Sequence, residues 1–209
     1  MITESQIQIL IFIHAALGGL ALCTGLIAMI TKKGSMPHRK SGKVFFYSLL
    51  CSAFTALFIS VLPNHTSPFL FVIGLFSAYL TIGGFRAISF KKKNQKLVFD
   101  TVLAWLMIVT GITMIVYPIL IYGKLSIVLS IFGAIGCLLA IQDLRGFKNK
   151  ETLRKKWLNI HLSKMTGAYI ASFTAFIVVN NFIPGIYGWL APSFFGTVYI
   201  VYQSRKLAS

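Results

Sequence analysis

Acidic residues are nearly missing from this chain. Four Asp and Glu stand against 20 Lys and Arg, and charged residues of both signs make up only 11% of 209 positions. A soluble domain of that length needs far more charge to cover its surface. Cysteine is scarce and scattered: Cys23, Cys51 and Cys137 each lie inside an apolar run. They offer neither a disulfide framework nor a CxxC metal pattern. A glycine-rich nucleotide loop, a nucleophile elbow and an HExxH pair are all missing. A seven-span zinc hydrolase would need several histidines or a carboxylate converging at one depth, whereas the four histidines here divide between two faces. The formal net charge of +16 comes from clusters in short links, so it excludes nucleic acid as a partner and points to a membrane surface.

What the chain has in abundance is apolar length. It is 56% hydrophobic with a mean hydropathy of +0.80, and apolar runs of 18 residues or more recur along it, which reads as membrane spans. Seven are expected, at about 7–30, 44–62, 69–90, 97–117, 125–141, 157–181 and 186–202. The fold class is therefore all-α, one polytopic bundle of seven transmembrane helices forming a single domain. Pro118 is expected to end the fourth span and Pro192 to kink the seventh. The opening MITESQ carries an acid and no base, and Lys32 and Lys33 follow the first apolar run. That order predicts a retained span rather than a signal peptide.

Charge then orients the bundle. Alternate links carry Lys32, Lys33, Arg39, Lys40 and Lys43, then Lys91, Lys92, Lys93 and Lys96, then Lys148, Lys150, Arg154, Lys155 and Lys156; the other links carry only Lys124. The positive-inside rule places the N-terminus outside and the C-terminus in the cytoplasm, as a multi-pass protein of the cytoplasmic membrane. Of these residues Lys32, Lys33, Arg39, Lys40, Lys91, Lys92, Lys93, Arg154, Lys155 and Lys156 are expected to face anionic lipid. Trp157, Tyr117, Tyr122, Tyr187 and Tyr202 fit aromatic belts.

Candidate chemistry rests on the histidines. His14 and His65 form an outer pair, His38 and His161 an inner one, with His38 and His65 placed in links. Two histidines at one depth on different helices meet the need of bis-imidazole haem b ligation, and His161 with Met165 could instead offer nitrogen and sulfur to a soft metal. The competing roles are an interhelical hydrogen bond for His14 and packing for Met165. Each membrane histidine heads a stripe at helical spacing: His14, Gly18, Ala21, Gly25 and Ala28, and His161, Met165, Ala168, Ser172 and Ala175. Both stripes are expected to face the bundle interior, because an imidazole turned to lipid is costly. Lys164 and Arg86 read as snorkelling to the headgroups. Asp100 and Asp143 sit at cytoplasmic span ends and are expected to pair with Arg145, Lys96 or each other's neighbours, which leaves no midplane carboxylate for an ion-coupled transporter.

One stretch points further. The series His14, Gly18-Gly19, Gly25, followed by Lys32-Lys33-Gly34-Ser35-Met36-Pro37-His38-Arg39-Lys40-Ser41-Gly42-Lys43-Val44-Phe45, resembles an uncharacterised bacterial family of predicted multi-spanning membrane proteins. Their marks are a histidine-glycine first span and a His-Arg-x-x-Gly-x-Val/Ile-aromatic link. The resemblance covers the first 60 residues and the region from Trp157 to Ala175. The final third departs from it, since that family places a histidine before the tryptophan rather than after. The resemblance implies class and location, and carries no activity. A looser likeness, to four-helix b-type cytochromes, comes from histidines near both faces. The sequence therefore leaves two functions open: a haem- or metal-binding redox membrane protein, or a non-catalytic bundle that binds lipid or a protein partner through its basic face.

Overall fold

The computed structural model describes residues 3–208, and among them every regular element is helical. The helices are α1 (Glu4–Ile30), α2 (Met36–Ile59), α3 (Pro68–Ala87, prolonged by a 3-10 turn over Ile88–Lys91), α4 (Val98–Tyr122), α5 (Ile127–Phe147), α6 (Lys150–Val179) and α7 (Ile186–Ala208). Their starts follow local chemistry. Thr3 and Gln6 close a capping box on α1, and the side chains of Ser35, Ser67, Ser126 and Asn149 cap α2, α3, α5 and α6. Each satisfies an amide that the first turn leaves without a partner.

Several boundaries differ from the expectation for the same reason. Ser35 followed by Met36-Pro37 is an N-cap with proline in the first turn, so α2 begins eight residues before the apolar run does. His38 therefore sits on a helix and not in a link. Likewise α6 starts at Lys150, which turns most of the long basic link into about two helical turns ahead of Trp157. Pro118 does not end α4, which continues to Tyr122 and stops at Gly123 in the left-handed region, φ 63°. A proline so near the C-terminus frees only the Met114 carbonyl, and glycine then supplies the positive φ of the cap. Asn181, φ 53°, plays the same part after α6.

Six helices, α1 to α6, are long and apolar enough to cross a membrane. α7 falls short of that: Gly188, Pro192, Ser193, Gly196 and the Gln203–Lys206 segment dilute its apolar content. It packs along α6 all the same, with Trp189 edge-on to Phe69 at the start of α3 and the Tyr199 hydroxyl donating to the Met29 carbonyl at the end of α1.

The bundle is organised around α3. Over half of its apolar window is buried, against 11% for α1, and Phe76, Tyr79 and Leu80 join one core with Ala21, Phe45, Leu49, Ala104, Met107, Ala140, Ala168 and Ala171. Small residues set the closest approaches. A Cβ at Gly84 would stand 3.0 Å from the Met165 amide nitrogen, and one at Gly111 2.7 Å from the Gly133 carbonyl oxygen. These contacts seat α6 on α3 and α5 on α4, the small-residue packing that membrane helices favour. At the basic end, Phe90 and Leu153 close the floor with Phe147, Trp157 and Ile160 around them.

Candidate functional site

The inner histidine pair shares a cavity. A space of about 530 Å³ opens at the basic end between α1, α2, α3 and α6, and both His38 and His161 line it. Its size is that of a small-molecule site. Phe45, Phe85, Trp157 and Tyr169 supply aromatic walls, Met165 a thioether, and Arg39, Lys43 and Lys91 a basic rim.

Each imidazole is held in one tautomer by the backbone. His161 Nδ1 lies 2.8 Å from the Gly84 carbonyl oxygen and His38 Nδ1 2.9 Å from that of Ala28. A carbonyl only accepts, so both Nδ1 atoms carry hydrogen and donate. The acceptors are free because of where they sit. At the end of α3 the Ile88 N–H turns to Phe85 as the helix tightens to 3-10, which leaves the Gly84 carbonyl to His161. Ala28 belongs to the last turn of α1, whose orphan carbonyls are otherwise taken by the Lys33 ammonium, at 3.1 Å from Ala28 and 2.7 Å from Met29. That cationic cap also suits the negative end of the helix dipole. Among the described residues neither Nε2 has a hydrogen-bond partner. Each Nε2 therefore carries the ring's lone pair, which no described residue engages.

The outer pair is not brought together in this way. His14 Nδ1 lies 2.9 Å from the Ser52 carbonyl oxygen and 3.0 Å from its hydroxyl, and that hydroxyl reaches the His14 carbonyl at 3.0 Å. This is the interhelical bond expected of it. His65 stays in the α2–α3 connection and pairs with Glu4 at 3.0 Å. Neither lines the cavity. The α1 stripe faces inward, with Ala21, Gly25 and Ala28 buried. On α6 the deepest line passes instead through Lys164, Ala168 and Ala171, and His161, Met165, Ser172 and Ala175 are half-buried beside it.

Lys164 corrects the sequence reading outright. It does not snorkel: it is 7% exposed, donates to Asp143 and reaches the Tyr79 hydroxyl at 3.1 Å, while that hydroxyl donates to Asp143 at 2.6 Å. Room for the ammonium comes from Gly83, whose missing Cβ would lie 2.9 Å from Nζ. Arg86 does not snorkel either, and grips Asp100 with two bonds of 2.6 Å. Both carboxylates thus pair with cations of neighbouring helices, not with Arg145 or Lys96. Their position near span ends was legible.

Sequence reasoning missed the aromatic walls and the two backbone acceptors. Only the Ser35-Met36-Pro37 start signal, by making His38 helical, pointed towards the shared cavity. Among the described residues no group of three or more His, Cys, Asp or Glu is placed to hold a metal ion. A two-ligand site asks for less.

The family model described as predicted membrane protein (DUF2306) matches residues 11–123, more than half of the chain. The chain belongs to this family. The DUF2306 match takes in His14, the His38-Arg39 motif and the Gly83-Gly84 pair, and stops before the helix that carries His161. It makes the chain a membrane protein with several membrane-spanning helices and assigns no activity. No curated protein and no solved structure matches, so the likeness to b-type cytochromes has no relative behind it.

Proposed function

We propose that the cavity at the basic end holds haem b between His38 and His161, and that the protein is a redox component of the cytoplasmic membrane. One observation carries this reading: two imidazoles on different helices line one apolar cavity, each with Nδ1–H fixed on a backbone carbonyl and Nε2 free. An imidazole that ligates a metal through one nitrogen commonly donates its other N–H to a carbonyl, which fixes ring orientation and raises ligand basicity. Haem, when bound, supplies one-electron chemistry; His38 and His161 would hold it through their Nε2 atoms, and the chain would supply the aromatic walls and the exclusion of water.

His14 and His65 have no part in the site, and Met165 belongs to its wall rather than to its ligands. The seven-span arrangement with the N-terminus outside is part of the same proposal, and it puts the cavity on the cytoplasmic side. The test is an absorption spectrum of protein purified from haem-replete membranes. A six-coordinate, low-spin spectrum with sharp bands after dithionite reduction is expected. A colourless preparation that also takes up no added haem would rule the reading out.

A second reading rests on the surplus of cations at this end: the basic face binds anionic lipid, with each Lys or Arg contributing on the order of 1 kcal/mol. Its test is the retention of phosphatidylglycerol over phosphatidylcholine at rising salt. Indifference to both headgroup and salt would dismiss it.

A further inference from the structure

Every Asp and Glu side chain is already engaged. Asp100 is held by Arg86, Asp143 by Lys164 and Tyr79, Glu4 by His65 and Glu151 by Lys155, and these are all four acids the sequence has. None of them lines the cavity. Among the cations at its mouth, Lys33 is committed to the Ala28 and Met29 carbonyls and to the Tyr199 hydroxyl, 3.0 Å away. Arg39 and Lys43, one helical turn apart on α2, have no ion pair or hydrogen bond among the described residues, and Lys91 has only the face of Trp157, 5.5 Å from the ring centroid. No Asp or Glu side chain thus serves these three cations as counter-ion, and an anionic group of a ligand in the cavity could pair with them.

We infer that Arg39, Lys43 and Lys91 recognise the carboxylates of the bound ligand, so that the cavity selects an acid-bearing tetrapyrrole and fixes its orientation, with its acid edge at the mouth and its apolar edge towards Phe45 and Tyr169. The inference rests on the haem reading and extends it from ligation to specificity. Its physical basis is a division of polarity. The imidazoles and aromatic rings occupy the interior, while the uncompensated cations occupy the rim, where water and headgroups keep their charge inexpensive. Guanidinium is the better matched of the three, because its planar fork pairs with a carboxylate through two bonds. Gly42 adds access. It lines the cavity between Arg39 and Lys43, and a Cβ there would meet nothing within 4 Å.

The experiment compares haem b with its dimethyl ester, in which both acids are masked, on the full chain in phosphatidylcholine nanodiscs. Arg39→Gln/Lys43→Gln/Lys91→Gln is run beside the unaltered protein. The unaltered protein is expected to bind haem b at least tenfold more tightly than the ester. The triple variant is expected to lose that preference by weakening haem b alone, with the low-spin spectrum intact. Equal affinity for the two porphyrins, with a six-coordinate spectrum for both, overturns the inference and leaves the histidine ligation standing. Failure of both porphyrins to give that spectrum overturns both. Phosphatidylglycerol that displaces acid and ester alike assigns the rim to lipid and also overturns it.

Discussion

Replacing Lys164 by methionine is the most informative single perturbation of the fold. Methionine keeps the volume and the flexible stem, removes the charge, and strands Asp143 beside Tyr79. Breaking one side of a buried ion pair costs about 3–5 kcal/mol, and an uncompensated Asp in a membrane helix costs about 2.5–3.5 kcal/mol on insertion scales. Asp143 would keep the 2.6 Å bond from the Tyr79 hydroxyl, so the low end applies, about 3 kcal/mol. That is a change of roughly a hundredfold or more in the folding equilibrium. The double variant Lys164→Met/Asp143→Leu removes both charges and is expected to regain most of the loss, because apolar replacement of a complete buried pair is often close to neutral. The assay is reversible unfolding in mixed micelles titrated with SDS, followed by tryptophan fluorescence. A loss below about 1 kcal/mol for the single variant, the range of exposed pairs, would refute burial and restore the snorkelling lysine.

Three further outcomes follow from the same packing. Gly84→Val places branched atoms against the Met165 backbone, 3.0 Å from a Cβ, and disturbs the carbonyl that holds His161; overpacking of this kind costs about 1–3 kcal/mol, and SDS unfolding should register it together with weaker haem uptake. Gly42→Phe projects into open space, so it should leave stability unchanged within about 1 kcal/mol while abolishing ligand uptake; a variant that still binds haem would show that the cavity is not the site. Reporter fusions after Asn64, Asn94, Gly123, Lys150 and Ser209 should alternate between outside and cytoplasmic signals, and two neighbouring fusions on the same side would break the proposed topology.

The class and the helices of this protein were legible because burial in lipid leaves a coarse signal in runs of apolar residues, while the caps Ser35 and Asn149, and with them the starts of α2 and α6, went unread. The site was legible only in part. His38 and His161 were grouped by depth, from charge asymmetry and helix rise, and both line one cavity. Their convergence on one cavity was not visible, since it depends on Gly83-Gly84 letting α6 close on α3 and on the carbonyls of Ala28 and Gly84. Backbone acceptors have no letter in a sequence. Lys164 was misread because a span-end lysine looks the same whether it reaches water or a carboxylate, and only the arrangement of α3, α5 and α6 decides between them.

The most direct measurement is haem titration of purified apo-protein carrying single histidine changes, read by the low-spin absorption of the oxidised and reduced forms. His38→Ala and His161→Ala are each expected to abolish the six-coordinate spectrum while keeping the unaltered protein's elution profile and helix content. His14→Ala is expected to bind haem normally and to lose stability through the broken bond to Ser52. Loss of the spectrum in His14→Ala, with both inner variants still six-coordinate, would contradict the assignment of the inner pair.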